Sequence, residues 1–204
     1  MLVCQELGKT TLVSLLLKFY DIDSGDIKID GVSIQKLERE NLHKICTMVF
    51  QESWIFDGTI RENIVYNRKD VSKERLEEVC HELGLDEFIN KLPKGYDTKI
   101  SEKDNLSAGQ KQLITLARGL IEDAPILILD EAMSNLDTMT EKKIRKVIDK
   151  LVKTKTIIII SHRLSAVKNS DLIIFMKDGQ IAEKGTHEEL VKKNGEYAKL
   201  YRLK

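Results

Sequence analysis

"PILILDEAMSNLDTMTEKKIRKVIDKLVKTKTIIIISH", residues 125–162, decides the fold. Its two ends, PILILD and KTIIIIS, are near-continuous runs of leucine and β-branched residues, the mark of strands buried on both faces of a parallel sheet. Between them, residues 141–153 place Ile144, Val147, Ile148 and Leu151 on one helical stripe. Strand, amphipathic helix and strand on this scale form a βαβ unit, and so an α/β fold. Asp130 and Glu131 leave the first strand and His162 leaves the second, at the carboxyl edge where open α/β sheets bind ligands. There Asp130 could hold a divalent cation directly or through water, and Glu131 could orient and deprotonate a water. His162 could donate a hydrogen bond to an anion or to that water. Taken alone, two acids can simply end a strand at the surface, and a lone histidine is more often structural.

Outward from this unit, residues 10–19 read as a buried helix, and residues 44–50 (KICTMVF) as another strand, left by Gln51. Turn signals at Ser24-Gly25 and Asp30-Gly31 flank an alternating edge strand through Ile27 and Ile29. Residues 58–121 read as mostly helical. In VSKERLEEVCHELG, Leu76, Val79, Cys80 and Leu83 fall at i, i+3, i+4 and i+7, with Gly84 as the stop. DLIIFMKDGQIAEKG is a hairpin about Asp178-Gly179, and the chain ends in surface helix. The expected organisation is one domain over 1–204, with a core of 1–52 and 122–204 and a helical subdomain of about 53–121.

Composition narrows the function. The 204 residues carry 33 basic and 33 acidic side chains, a balance that does not suggest a polyanion such as nucleic acid as partner. Cys4, Cys46 and Cys80 are odd in number and widely spaced, which points to neither a disulfide framework nor a metal site and makes a reducing cytosol the default. No apolar run is long enough to span a bilayer, so any membrane link would go through a partner.

Two further segments bear on anions. GKTT, Gly8 to Thr11, reads as the end of a phosphate-binding G-x-x-x-x-G-K-[ST] loop, although Val3 stands where its first glycine belongs. NLSAGQKQLITLARGLI, residues 105–121, opens a helix with Ser107 as N-cap, and the small Ala108 and Gly109 leave backbone amides uncovered at its positive end. A capped helix alone is ordinary. The string L-S-x-G-Q-K-Q fixes six residues, each a chance of roughly one in ten to twenty by composition.

With these residues the chain resembles the ATP-binding domain of ABC transporters over essentially its whole length. Gly8–Thr11 resembles the end of Walker A, Gln51 the Q-loop glutamine, and Leu106–Gln110 the signature, with Ala108 for the commoner glycine. ILILDE resembles Walker B, Ser134–Asp137 the D-loop, and His162 the switch histidine; each occurs once, in family order. DGTIRENI, GYDT and SHRLS lean toward the exporter branch. The resemblance implies a P-loop NTPase core with a parallel sheet and a helical signature subdomain. It implies ATP and Mg²⁺ as cofactors and hydrolysis of ATP to drive export. Gly8, Lys9, Thr10 and Thr11 would bind the phosphates, with Thr10, Gln51 and Asp130 about the metal. Glu131, His162 and Gln51 would be catalytic. Ser107, Gly109, Gln110 and Asp137 would also serve nucleotide, the partner's Ser107 and Gly109 closing the site from the other side of a head-to-tail pair of ATP-binding domains. Closure would pass to exporter transmembrane domains through the region after Gln51 and the stretch 101–105, placing the chain at the cytoplasmic face of the membrane.

The sequence departs from the family at its start. Val3 and Glu6 replace loop glycines and Leu7 a small residue; Val3 fits a close backbone wrap poorly, and Glu6 would set a carboxylate beside phosphate. Only seven residues precede Gly8, so most of the strand before the loop, and the antiparallel subdomain with its adenine-stacking aromatic, are expected to be missing, with low stability as a result. Met133 also replaces a common threonine. An alternative is a degenerate half-site that lends its signature to a partner; a non-transport ABC ATPase is a further one.

Overall fold

The computed structural model describes residues 3–4, 9–104, 106–132 and 136–202. In chain order the elements are β1 (Val3–Cys4), α1 (Lys9–Leu16), β2 (Lys28–Ile29), β3 (Val32–Ser33), α2 (Arg39–Ile45), β4 (Cys46–Val49), β5 (Gly58–Thr59), α3 (Ile60–Val65), α4 (Lys73–Leu83), α5 (Asp86–Ile89), β6 (Lys99–Ile100) and α6 (Ala108–Leu120). They continue with β7 (Ile126–Asp130), α7 (Thr138–Leu151), β8 (Thr156–Ile160), β9 (Ile173–Lys177), β10 (Gln180–Gly185), α8 (His187–Lys193) and α9 (Glu196–Arg202). The chain divides into two compact units: 1–46 with 128–131 and 157–204, and 47–127 with 132–156.

The βαβ unit forms where the sequence places it. Leu127, Ile128 and Leu129 are buried along β7, as are Ile157, Ile159 and Ile160 along β8. Thr156 N donates to Pro125 O (2.9 Å) and Glu131 N to Ile160 O (2.9 Å), so the strands advance in the same direction. One sheet has the order β4-β7-β8 and a second β1-β9-β10. Ile144, Val147 and Ile148 are the buried stripe of α7.

In the first unit β1 pairs parallel with β9, Val3 opposite Phe175 and Cys4 opposite Met176. This corrects the sequence expectation for Val3: its backbone continues a sheet instead of opening a loop. The β9–β10 hairpin turns on Asp178 (φ 51°) and Gly179 (φ 75°), the paired left-handed residues of a type I′ turn. The C-terminal helices are not purely surface elements, because Leu190, Tyr197 and Ala198 are buried. Glu183 on β10 accepts from the first amides of α9 (Glu196 N, 2.5 Å; Tyr197 N, 3.3 Å), and Tyr197 Oη lies 2.7 Å from His187 Nδ1.

Helix α1 ends at Leu16, short of the expected residue 19, because Lys18 turns into a left-handed conformation (φ 54°). Arg39 and His43 on α2 take the carbonyls just past that end: Arg39 Nε donates to Lys18 O (3.0 Å) and His43 Nε2 lies 3.0 Å from Leu17 O. Lys44 and Ile45 finish α2 instead of starting the next strand. A helix with Glu40 in its first turn and His43 and Lys44 in its last is matched to its own dipole.

The second unit is helical, with one two-stranded ribbon, β5–β6, pairing Gly58 with Ile100 and Thr59 with Lys99. Helix α6 packs on α3 and α4, and α4 on α5 and α7. Ser72 caps α4, accepting from Arg75 N at 3.1 Å, and Gly84 ends it at φ 66°.

Candidate functional site

The first unit carries the strand-edge chemistry. Strand β7 ends on Asp130, and Glu131 follows at φ 47°, a left-handed conformation that is uncommon for a residue other than glycine. Strained non-glycine backbone concentrates at functional sites. The turn leaves the Glu131 amide on Ile160 O and brings Glu131 Oε2 to 3.1 Å from His162 Nδ1, with His162 half in solvent. The sequence placed these two residues at one sheet edge; the structure brings their side chains into contact. The same unit holds α1, whose first residues are Lys9 and Thr10. Gly8 lies outside the described residues, and Thr11 is exposed.

Among the described residues no group of three or more His, Cys, Asp or Glu side chains could hold a metal ion. One carboxylate at the sheet edge, Asp130, nonetheless suits Mg²⁺, which takes one or two protein carboxylates and fills its remaining positions with phosphate oxygens and water. The residues therefore fit a cation that arrives with a nucleotide.

The second unit carries the signature. Ser107 Oγ accepts from Gln110 N (3.1 Å) and Gln110 Oε1 accepts from Ser107 N (2.9 Å), a reciprocal capping box at the start of α6. The S-x-x-Q spacing announces this box, so Gln110 has a structural task that the sequence reading did not assign. Gly109 sits against the start of α7. A Cβ at that position would lie 3.1 Å from Thr140 Oγ1 and 3.5 Å from Asp137 Oδ2. Asp137 caps α7: its Oδ1 accepts from Met139 N and Thr140 N (3.0 Å each) and its Oδ2 from Thr140 Oγ1 (2.6 Å). These bonds, the Thr140 hydroxyl first, hold its carboxyl below the usual range. Ser134 and Asn135 of the D-loop stretch, with Asn105 and Met133, lie outside the described residues.

Gln51 is exposed in the loop after β4 and belongs to the second unit. It lines a cavity of about 550 Å³ with Glu52, Ser53, Trp54, Glu102, Ala108, Lys111, Gln112 and Leu136. Ser53 Oγ donates to Gln112 Oε1 (2.5 Å), and Glu102 accepts from Ile55 N (3.3 Å) and Lys111 Nζ (2.6 Å). Lys111 is the main reason the Glu102 carboxyl is held low. The sequence marks the region after Gln51 and the stretch 101–105 separately; the structure lines one cavity with both. Lys111 and Gln112 went unassigned, although both stand inside the string that carries the signature.

Known proteins resemble the chain in sequence and in fold. The family model of the ABC transporter matches residues 7–134. The uncharacterised ABC transporter ATP-binding protein YfiC of Bacillus subtilis is 45% identical over 95% of this chain and 32% of its own length. A fatty acid ABC transporter ATP-binding/permease protein of Mycobacterium bovis is 44% identical over 96% of this chain and 31% of its own. An ATP-dependent lipid A-core flippase of Vibrio vulnificus is 43% identical over 96% and 34%. A bacterial Atm1-family ABC exporter with ATP bound superposes with a TM-score of 0.92 at 37% identity, over 98% of this chain and 36% of that one. The chain thus spans about a third of the length of these relatives. No described helix is long and apolar enough to cross a membrane. A signature helix opened by Ser107, Asp130-Glu131 at the end of a buried parallel strand and a family match over more than half the sequence agree: the chain belongs to the ABC transporter family, as an ATP-binding domain.

Proposed function

We propose that the chain binds ATP with Mg²⁺ and hydrolyses it, as the ATP-binding part of an exporter that works at the cytoplasmic face of a membrane. The observation that carries this reading is the Glu131–His162 contact at the end of β7, on strained backbone beside Asp130. Glu131 accepts a proton from the attacking water, and His162 fixes the Glu131 carboxylate and donates toward the γ-phosphate end. Lys9 and Thr10, opening α1, take the phosphates at a positive helix end. Asp130 and Thr10 are the groups of this unit that would hold Mg²⁺, which supplies charge neutralisation of the β- and γ-phosphates.

The core carries the nucleotide and the helical stretch of about 53–121 carries the signature. A second ATP-binding domain, paired head to tail, would offer its own Ser107, Gly109, Gln110 and Asp137 to this site. The cavity shared by the post-Gln51 segment and Glu102 is where a transmembrane partner would sense closure.

The test is Glu131→Gln, which keeps size and polarity and removes the base. Nucleotide binding should persist while phosphate release falls by about 10²-fold or more; hydrolysis at the wild-type rate would refute the assignment. One sequence feature favours a weaker site: Glu6 and Leu7 stand just before Gly8-Lys9, where the family pattern carries a glycine and a small residue. Glu6→Gly and Leu7→Ser should then tighten ATP binding, and an unchanged affinity would remove that second reading.

A further inference from the structure

We infer that Arg118, near the C-terminal end of the signature helix, is a positioning residue that ties the segment after Gln51 to that helix, so that movement at one is felt at the other. The role rests on the ATP-binding reading above.

Arg118 reaches three pieces of the second unit. Its Nε donates to Asn63 O (2.7 Å) at the end of α3, and its Nη2 donates to Trp54 O (3.1 Å) and Asn63 Oδ1 (3.3 Å). Its Cζ also lies 5.5 Å from the ring centre of Trp54, 5.6 Å from Tyr66 and 6.0 Å from Phe56. The three rings contact one another at 5.5–6.3 Å between centres. No carboxylate is among these partners. A half-buried guanidinium satisfied by carbonyls and π faces is held by direction, since none of these partners is a counter-ion that could follow displaced N–H groups. Asn63 is fully buried and doubles the link, accepting from Phe56 N (3.1 Å) and donating to Phe56 O (3.0 Å). Trp54 is therefore fixed from α6 and Phe56 from α3.

A second observation is independent of these bonds. Tyr66 follows α3 at φ 56° and ψ −130°, a region a bulky side chain rarely enters. That conformation places its ring in the cage, and strain of this kind persists only where surrounding structure over-determines it. Trp54 belongs both to this cage and to the Gln51–Glu102 cavity. The cage thus joins the signature helix to the wall where a partner would read it.

A basic side chain in the last turn of a helix also favours the helix dipole, and Arg118→Lys separates the roles. Lysine keeps the charge but loses the fork and the flat stacking face. Trp54 is the only tryptophan, so its fluorescence reports the cage. In the full chain, ATP should change Trp54 emission in the wild type. Arg118→Lys and Arg118→Met should lose most of that change while calorimetric ATP affinity stays within about threefold. Amide exchange over residues 53–56, without nucleotide, should quicken about tenfold in Arg118→Lys. A wild-type response surviving in both variants overturns the inference, as does bound ATP that leaves wild-type Trp54 unchanged or exchange that is unaltered. A chain that binds no ATP fails the functional reading instead, and the exchange arm still decides the clamp.

Discussion

Gly109 tests whether the signature helix and the start of α7 are packed to their limit. Alanine there is drawn two ways. Removing a glycine from a helix gains up to about 1 kcal/mol, less near the first turn. The new Cβ would stand 3.1 Å from Thr140 Oγ1 and 3.4 Å from Thr140 Cγ2, so Thr140 must yield by a few tenths of an ångström. Its hydroxyl is held by Asp137 Oδ2 at 2.6 Å, and it can yield only by turning off its rotamer, at about 0.5–1.5 kcal/mol, or by giving up that bond. The two effects nearly cancel, so Gly109→Ala alone should change stability by less than about 1 kcal/mol. In a Thr140→Ala background the obstacle is gone, and the same substitution should stabilise by about 0.5–1 kcal/mol. Urea unfolding of the four proteins closes the cycle. A coupling of about 1 kcal/mol is expected. An equal effect of Gly109→Ala in both backgrounds would show that Thr140 is not what selects glycine, and the steric account would fall.

Gly119, further along α6, is a harder limit: a Cβ there would come within 2.6 Å of Val49 Cγ2 on β4, and Val49 is buried. Gly119→Ala should destabilise by about 1–3 kcal/mol, an overpacking cost that Val49→Ala relieves, read by denaturant midpoints. At Glu131 the left-handed backbone disfavours any Cβ, so Glu131→Gly should be more stable than Glu131→Ala by about 1 kcal/mol, with hydrolysis lost in both; equal melting temperatures would deny the strain. Glu102 has a depressed carboxyl, so its contribution is complete above the ordinary glutamate value of about 4.3 and fades as pH falls through the lower folded value. Stability should therefore fall more steeply with acid in the wild type than its remaining carboxylates alone would give, and Glu102→Gln should flatten that part of the stability curve.

Strands β7 and β8 were legible because burial on both faces leaves no polar position to blur the pattern. Helix α4 was legible because Leu76, Val79, Cys80 and Leu83 repeat at helical spacing up to a glycine that can take φ 66°. The β5–β6 ribbon was not, since two residues carry no period and its pairing spans about forty residues of chain. The start of β4 was misplaced for a related reason: Lys44-Ile45 alternates as a strand would, and only the charge order along α2 argues for helix. At the site, residue types were readable and mutual geometry was not. Asp130, Glu131 and His162 follow from strand ends, whereas the left-handed turn at Glu131 and the Arg118 cage depend on partners that the backbone delivers from elsewhere in the chain.

The turn at Glu131 also bears on how one strand end could serve the two tasks proposed for Asp130 and Glu131. In extended backbone, successive side chains point to opposite faces, so Asp130 and Glu131 could not both address one edge of the sheet. A left-handed residue breaks that alternation after Asp130. The break is held in place on both sides: Ile128 and Leu129 are buried ahead of it, and the Glu131 amide is taken by Ile160 O next to the strand end from which His162 departs. Strain at Glu131 and its contact with His162 are thus one arrangement, because the same β8 end that accepts the amide supplies the histidine. A change that loosened Ile160 would move Glu131 and His162 together, so the edge of β7 and β8, more than any single side chain, is the unit on which the proposed chemistry rests.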